Sequence, residues 1–249
     1  MKFLVAAIAL FTLSQVAQAA NSPPDLHQVA QDVARIKQEA LPEGAELAGA
    51  YRSDYDEKTH NVVITLKTGD DYLNAVAQSY TFTDLNKDGA VDLAIAIEAP
   101  PTTDKTGYMM FGDRSLQIYT AHGAAASLVS LTEGGKVILN ADDGGAFGDP
   151  FAGLTLNQSG SIQVNHYGGD ADRWADVQTF QYRSGYIYLV GNTSTAYNDH
   201  TLKGQTIDTD LLTGDQIITT MNGDKKDTVK HIKIAVKPLV KLSAATLEP

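Results

Sequence analysis

Val177-Gln-Thr-Phe180-Gln-Tyr182-Arg183-Ser184-Gly185-Tyr186-Ile187-Tyr188-Leu189-Val190-Gly191 decides the fold class. Two runs rich in aromatic and β-branched residues flank Ser184-Gly185, a pair suited to a tight turn, so the stretch reads as an antiparallel hairpin. Side chains alternate between the two faces of a strand, which puts Tyr186 and Tyr188 on one side and Ile187 and Leu189 on the other. The aliphatic side belongs in a core, and the tyrosines then line the less buried face. Similar short runs bounded by turn residues recur on both sides of this hairpin. They predict strands at 62–66, 80–83, 93–97, 115–120, 136–140, 153–156, 161–166, 208–212, 216–221 and 229–236, with longer loops at 100–104 and 197–204. Only one helix is expected. It starts after Pro23-Pro24-Asp25 and carries Leu26, Val29, Val33, Ile36 and Ala40 at helical spacing until Pro42 and Gly44 end it. The expected fold is therefore mainly β (α+β): antiparallel sheets in a sandwich- or partial-barrel-like arrangement with one N-terminal helix.

Between the strands at 80–83 and 93–97 lies Asp84-Leu-Asn86-Lys-Asp88-Gly89-Ala90-Val-Asp92. Oxygen-bearing side chains fall at loop positions 1, 3, 5 and 9, and Gly89 stands where the backbone must turn sharply. Calcium takes six to eight hard oxygen ligands, which Asp84, Asn86, Asp88, Asp92 and the carbonyl of Ala90 can largely supply. The loop is not an EF-hand, because position 12 is Ile95 instead of a bidentate glutamate, and strands replace the flanking helices. A single such loop without a fixed-period repeat also argues against a propeller. The same residues could instead form a polar turn closed by Asx hydrogen bonds. A structural calcium clip is the expected role.

Composition bounds the setting. Met1-Lys2, an apolar stretch from 3 to 13, and Ala17-Gln18-Ala19 have the layout of a secretory signal peptide cleaved near Ala19. The apolar stretch is too short to cross a bilayer, so no membrane anchor is expected. With no cysteine in the chain, disulfides, thiolate metal ligands and cysteine nucleophiles are all excluded. The net charge of −11, with scattered basic residues, argues against nucleic acid as a partner. The expectation is a periplasmic or secreted protein with one β-rich domain at 20–249. That domain divides into a helical segment at 20–44, a β core at 45–195 and a β extension at 196–249.

Two glycine-rich segments follow the loop: Asp142-Asp143-Gly144-Gly145-Ala-Phe147-Gly148-Asp149-Pro150-Phe151 and His166-Tyr167-Gly168-Gly169-Asp170-Ala-Asp172-Arg173-Trp174. Pairing of the strands between them could bring the segments together at one end of a sheet. The candidate ligand-binding residues are Asp149, His166, Tyr167, Asp170, Arg173 and Trp174. The alternative for the same glycines is bulges and tight turns, with Arg173 paired to an aspartate and Trp174 in the core.

These segments, together with Pro42-Glu43-Gly44, the loop at 84–93, Arg114-Ser115-Leu116 and the aromatic hairpin, resemble a family of secreted bacterial proteins described as VCBS- or FG-GAP-like. The resemblance spans about residues 41 to 195. One departure is Asp170, where the family pattern more often has serine. It implies a fold and a calcium loop and brings no activity with it.

Two functions stand open. One is a non-catalytic binding module whose partner is an envelope polysaccharide or protein. The other is a hydrolase of cell-envelope polysaccharide using His166 with Asp170 or Asp172, or a pair among the aspartates. No Gly-x-Ser-x-Gly elbow or HExxH is present.

Overall fold

The computed structural model describes residues 45–52, 62–68, 71–89, 92–98, 102–103, 105–107, 109–110, 113–121, 128–141 and 143–245. The expected signal peptide and helix lie outside them. Fifteen strands are described, with two short 3-10 turns. They are β1 (Ala45–Arg52), β2 (Val62–Thr68), β3 (Asp71–Thr83), β4 (Asp92–Glu98), β5 (Thr102–Thr103), β6 (Met109–Met110), β7 (Arg114–Ala121) and β8 (Leu128–Gly135) in the first half. β9 (Phe151–Leu156), β10 (Ile162–Gly169), β11 (Asp172–Arg183), β12 (Tyr186–Asn198), β13 (Lys203–Asp210), β14 (Asp215–Asn222) and β15 (Thr228–Lys233) complete the second. The protein is thus mainly β. A six-stranded sheet runs β1-β2-β3-β4-β7-β8 and a seven-stranded sheet runs β15-β14-β13-β12-β11-β10-β9, with β5-β6 as a separate small hairpin. Every described pairing is antiparallel, and no sheet closes into a barrel. Among the described residues no helix is long and apolar enough to cross a membrane.

The core is shared by the two sheets. Ala94, Ala96, Leu116 and Ile118 come from β4 and β7, and Leu154, Ile162, Val164, Phe180 and Ile187 from β9 to β12. Each fully buried large apolar side chain contributes about 1.5–3 kcal/mol. In β4 four successive residues, Leu93 to Ala96, are buried. Alternation is lost because both faces of this central strand are covered. β7 alternates cleanly instead, with Arg114, Leu116, Ile118 and Thr120 buried and Ser115 and Gln117 half-buried between them.

The hairpin that set the fold class forms as expected. Ser184 and Gly185 both have positive φ, 50° and 91°, the left-handed geometry of a two-residue hairpin turn. Ile187 is fully buried and Leu189 packs on the core, while Tyr186 is exposed. Beyond a bulge at Thr179/Phe180, β11 and β12 continue well past the core to Asp172 and Asn198. β13, β14 and β15 extend this outlying part. The chain then returns: Leu189 N–H donates to Val240 O at 2.9 Å, Tyr188 bridges Lys241, and Leu242 is fully buried in the core.

Several expected elements differ: the loop at 100–104 holds the short strand β5, and the strand at 229–236 ends at Lys233. Residues 136–140 form no strand; the strand here is β8, ending at Gly135. Side chains take the backbone groups that a ladder would need, since Leu139 N–H goes to His166 Nε2 and Asn140 N–H to Asp143 Oδ2. The loop expected at 197–204 shrinks to 199–202, where Asn198 Oδ1 accepts the N–H groups of His200 and Thr201. The strand expected at 208–212 is β13, which ends at Asp210 because that side chain caps Leu212 and Thr213.

Candidate functional site

The loop at 84–92 joins β3 to β4, with Thr83 and Asp92 paired at its base. Asp84 organises it. Its Oδ1 accepts the Asp88 N–H at 3.1 Å and its Oδ2 the Gly89 N–H at 3.0 Å. Asn86 Oδ1 also accepts from Asp88 N–H, at 3.0 Å, and its Nδ2 donates to Asp88 Oδ2. Asp92, fully buried, accepts the Leu85 N–H at 2.8 Å. Lys87 and Gly89 take positive φ, 62° and 89°, so the backbone turns sharply where expected. Ala90 lies outside the described residues.

A carboxylate oxygen has two lone pairs, so accepting one N–H leaves capacity for a cation. The donors are hard oxygens throughout, which suits calcium. Asp84, Asn86 and Asp88 occupy the rim, whereas Asp92 lies at the buried root; among the described residues no three Asp, Glu or His side chains gather as a metal-holding group. The Asx hydrogen bonds also close the loop by themselves.

A polar cavity of about 350 Å³ opens beside the loop. Asp84 and Lys87 line one side, Ser159 of the β9–β10 turn another, and Gln181, Arg183 and Ser184 of the β11–β12 hairpin a third. It therefore bridges the ends of both large sheets.

The glycine-rich segments converge on Arg114, which sequence reasoning did not count among the site residues. Arg114 is 3% exposed. Its Nε donates to Glu98 Oε2 at 2.7 Å, and its two terminal nitrogens hold both oxygens of Asp149 at 2.6 and 2.7 Å. Nη1 also donates to Leu139 O. Burial alone would lower the guanidinium pKa, but the paired Asp149 and Glu98 outweigh it and raise it. Asp149 is thus a structural carboxylate, fixed bidentately. A signal was present: parity places Arg114 on the core face of β7 with Leu116, and Glu98 on that of β4 with Ala96. The two face each other in register, and charges in such positions must pair.

His166 is fully buried, with its ring 5.9 Å from that of Phe151. Leu139 N–H donates to Nε2 at 3.2 Å, so the neutral ring carries its proton on Nδ1. Burial, and then the Arg114 guanidinium, push its pKa down to about 4. Opposite it in register is Asp176, whose carboxyl pKa is raised by burial. His166 Nδ1, Asp176 Oδ2, Gln178 Oε1 and Asn192 Oδ1 are buried polar atoms without hydrogen-bond partners. All four lie on one face of β10, β11 and β12, by the pairings His166↔Asp176 and Gln178↔Asn192.

Of the remaining expected residues, Tyr167 and Arg173 share one face, while Trp174 and Asp170 stand apart from them. Trp174 lies over Gly168, its cross-strand partner; a Cβ there would stand 2.5 Å from the indole. Strand alternation sends Tyr167 and Arg173 to the opposite face, where Arg173 Nη2 holds Asp199 at 2.9 Å. Tyr197 joins them, its pKa pushed up to about 12 by burial and by its hydrogen bond with Tyr167. Asp170 is exposed in the β10–β11 turn and accepts the Asp172 N–H. The tyrosines are also dispersed: Tyr182 packs on the core, and Tyr186 stacks edge-on to Tyr188 beneath the Lys241 ammonium.

No family model, curated protein or solved structure matches this chain.

Proposed function

We propose that the protein is an extracytoplasmic, non-catalytic binding module whose β3–β4 loop is clipped by calcium. The observation that carries this reading is the loop's hydrogen-bond pattern. Asp84, Asn86 and Asp92 hold the turn through N–H groups, and the oxygens of Asp84 and Asn86 on the rim keep lone pairs for a cation. Asp84, Asn86, Asp88, the carbonyl of Ala90 and Asp92 would hold the ion, which would tie two strands of the first sheet together. The two large sheets with their common core are read as a sandwich-like body, and the resemblance to VCBS- or FG-GAP-like proteins is in keeping with it. The leader-like residues 1–19 support export to the periplasm, where an envelope polysaccharide or protein is the partner sought.

The hydrolase alternative is not retained. His166 is buried and neutral with Nε2 already used, Asp149 is committed to Arg114, and Arg173 points to the other face. A base must reach the proton it abstracts, and these groups converge on no common space. Calorimetric titration of the protein with calcium tests the binding reading. One saturable site that vanishes in Asp84→Ala is expected; no heat above dilution would refute it.

A further inference from the structure

We propose that the free edge of β15 docks an acidic, extended peptide segment of a protein partner as an added strand. This inference deepens the binding-module reading and rests on it, though not on calcium. Basic residues are scattered through most of the chain, yet residues 225–241 hold six lysines against one aspartate. That is a net +5 in a chain of −11, so everything outside the segment carries −16.

The fold puts this charge on an open sheet edge. β15 is the end strand of the seven-stranded sheet and pairs only with β14. β9, at the opposite edge, lies against β3 and β4 instead. Along β15, Thr228 to His231 and Lys233 are exposed, and only Ile232 is half-buried. An edge strand presents a row of backbone N–H and C=O groups that have no ladder partner. Val229 on the strand and Val236 just beyond it are the most exposed large apolar side chains among the described residues, at 57% each. An added strand would pair the backbone groups and cover Val229.

The lysines select the partner. Alternation places Lys230 on one face of the sheet and Lys233 on the other. Lys225 and Lys226 lie in the turn that leads into β15, and Lys237 follows it. Lys233 is held by Asp215 at 2.8 Å, whereas Lys225, Lys226, Lys230 and Lys237 make no ion pair among the described residues. Edge lysines discourage pairing with other strands, and a second copy of β15 would bring its own lysines to the same edge. Carboxylates placed opposite turn those charges into cross-strand attraction. Main-chain bonds of an added strand then supply affinity, and its alternate side chains supply selectivity. At physiological salt the screening length is about 8 Å, so an approaching acidic strand responds to the local +5 ahead of the distant −16.

The test is fluorescence anisotropy of labelled decapeptides titrated with the full chain, with backbone hydrogen exchange read alongside. The peptides are a Glu/Thr sequence, the same sequence with Lys for Glu, and the Glu/Thr sequence N-methylated at alternate residues. The last keeps the charge and removes the edge hydrogen bonds. Vesicles of phosphatidylglycerol form a parallel series. The expected result is binding of the acidic peptide that slows exchange in β15. It should weaken roughly tenfold or more in the double variant Lys230→Glu, Lys237→Glu, and also in Lys225→Glu, Lys226→Glu. All four positions are exposed, so unfolding midpoints should stay at the wild-type value. Equal binding of the lysine or the N-methylated peptide, tighter binding to the vesicles, protection outside β15, or no binding of the acidic peptide overturns the proposal. Calcium titration of the same sample keeps the two readings apart. A saturable calcium site without peptide binding overturns this inference alone, whereas peptide binding at β15 without calcium heat supports it and removes only the clip.

Discussion

Acidification should destabilise this protein through His166 before its carboxylates are protonated. In the unfolded chain an imidazole titrates near 6.5, whereas burial and Arg114 hold His166 at about 4 in the fold. The charged form is disfavoured in the native state. At pH 7 the ring is neutral in both states and costs nothing. As pH falls below 6.5 the unfolded chain takes up a proton that the folded chain refuses, and stability is lost until pH passes the folded value. One pH unit of displacement is worth 1.36 kcal/mol, so the loss is about 2 kcal/mol by pH 5 and about 3 kcal/mol by pH 4. The assay is urea unfolding from pH 7 to 4, comparing wild type with His166→Gln, whose side-chain oxygen can still accept the Leu139 N–H. The variant starts less stable but should lack this component, so the gap between the two narrows on acidification by about 2 kcal/mol at pH 5. Proton NMR should find one of the six histidines untitrated above about pH 5. Parallel pH profiles, or six histidines titrating near 6.5, would refute the argument.

Other consequences are equally direct. Arg114→Met should cost about 3–5 kcal/mol, because it strands the buried Glu98 charge. Denaturant unfolding measures it, and adding Glu98→Gln should recover part of the loss. Gly168→Ala should cost about 1–3 kcal/mol by overpacking against Trp174. The chain has one tryptophan, so its fluorescence reports the displacement without ambiguity. Asp176→Asn should raise stability at neutral pH. The raised pKa means that ionising Asp176 costs the folded state, a cost present above the folded pKa and relieved below the ordinary carboxylate value of 3.8; a destabilised variant at pH 7 would count against it.

How much of this was legible in the sequence follows from how local each signal is. The Ser184-Gly185 turn and the Tyr-Ile-Tyr-Leu alternation were readable because a hairpin is set by neighbours. β4 was readable as an apolar run. The outer halves of β12 and β13 were not: Thr193-Ser194-Thr195-Ala196 and Lys203 to Ile207 lie beyond the core, half-buried or exposed on both faces, and carry no apolar alternation. β8 was misplaced because Leu139 and Asn140 look strand-like, but their N–H groups answer to side chains. The Arg114 clamp was hidden for a different reason. Its partners lie 16 and 35 residues away, and only the pairing of β4 with β7 brings Glu98 across from it. The six expected ligand residues do not share one face: His166 and Tyr167 are adjacent, so a strand must send them to opposite sides, while Asp149 is held by Arg114 and Asp170 lies in a turn.

Thermal unfolding with calcium and with chelator, in wild type and Asp88→Ala, decides whether the 84–92 loop holds a calcium ion. Asp88 sits on the exposed rim of the loop, so the substitution should leave the fold intact. Calcium at about 100 times its dissociation constant adds about 2.7 kcal/mol, which for a chain of this size raises the midpoint by about 5–10 °C. That rise is expected in wild type and should be lost in Asp88→Ala. Identical midpoints in calcium and chelator for the wild-type protein would contradict it, leaving residues 84–92 a turn closed by its own hydrogen bonds.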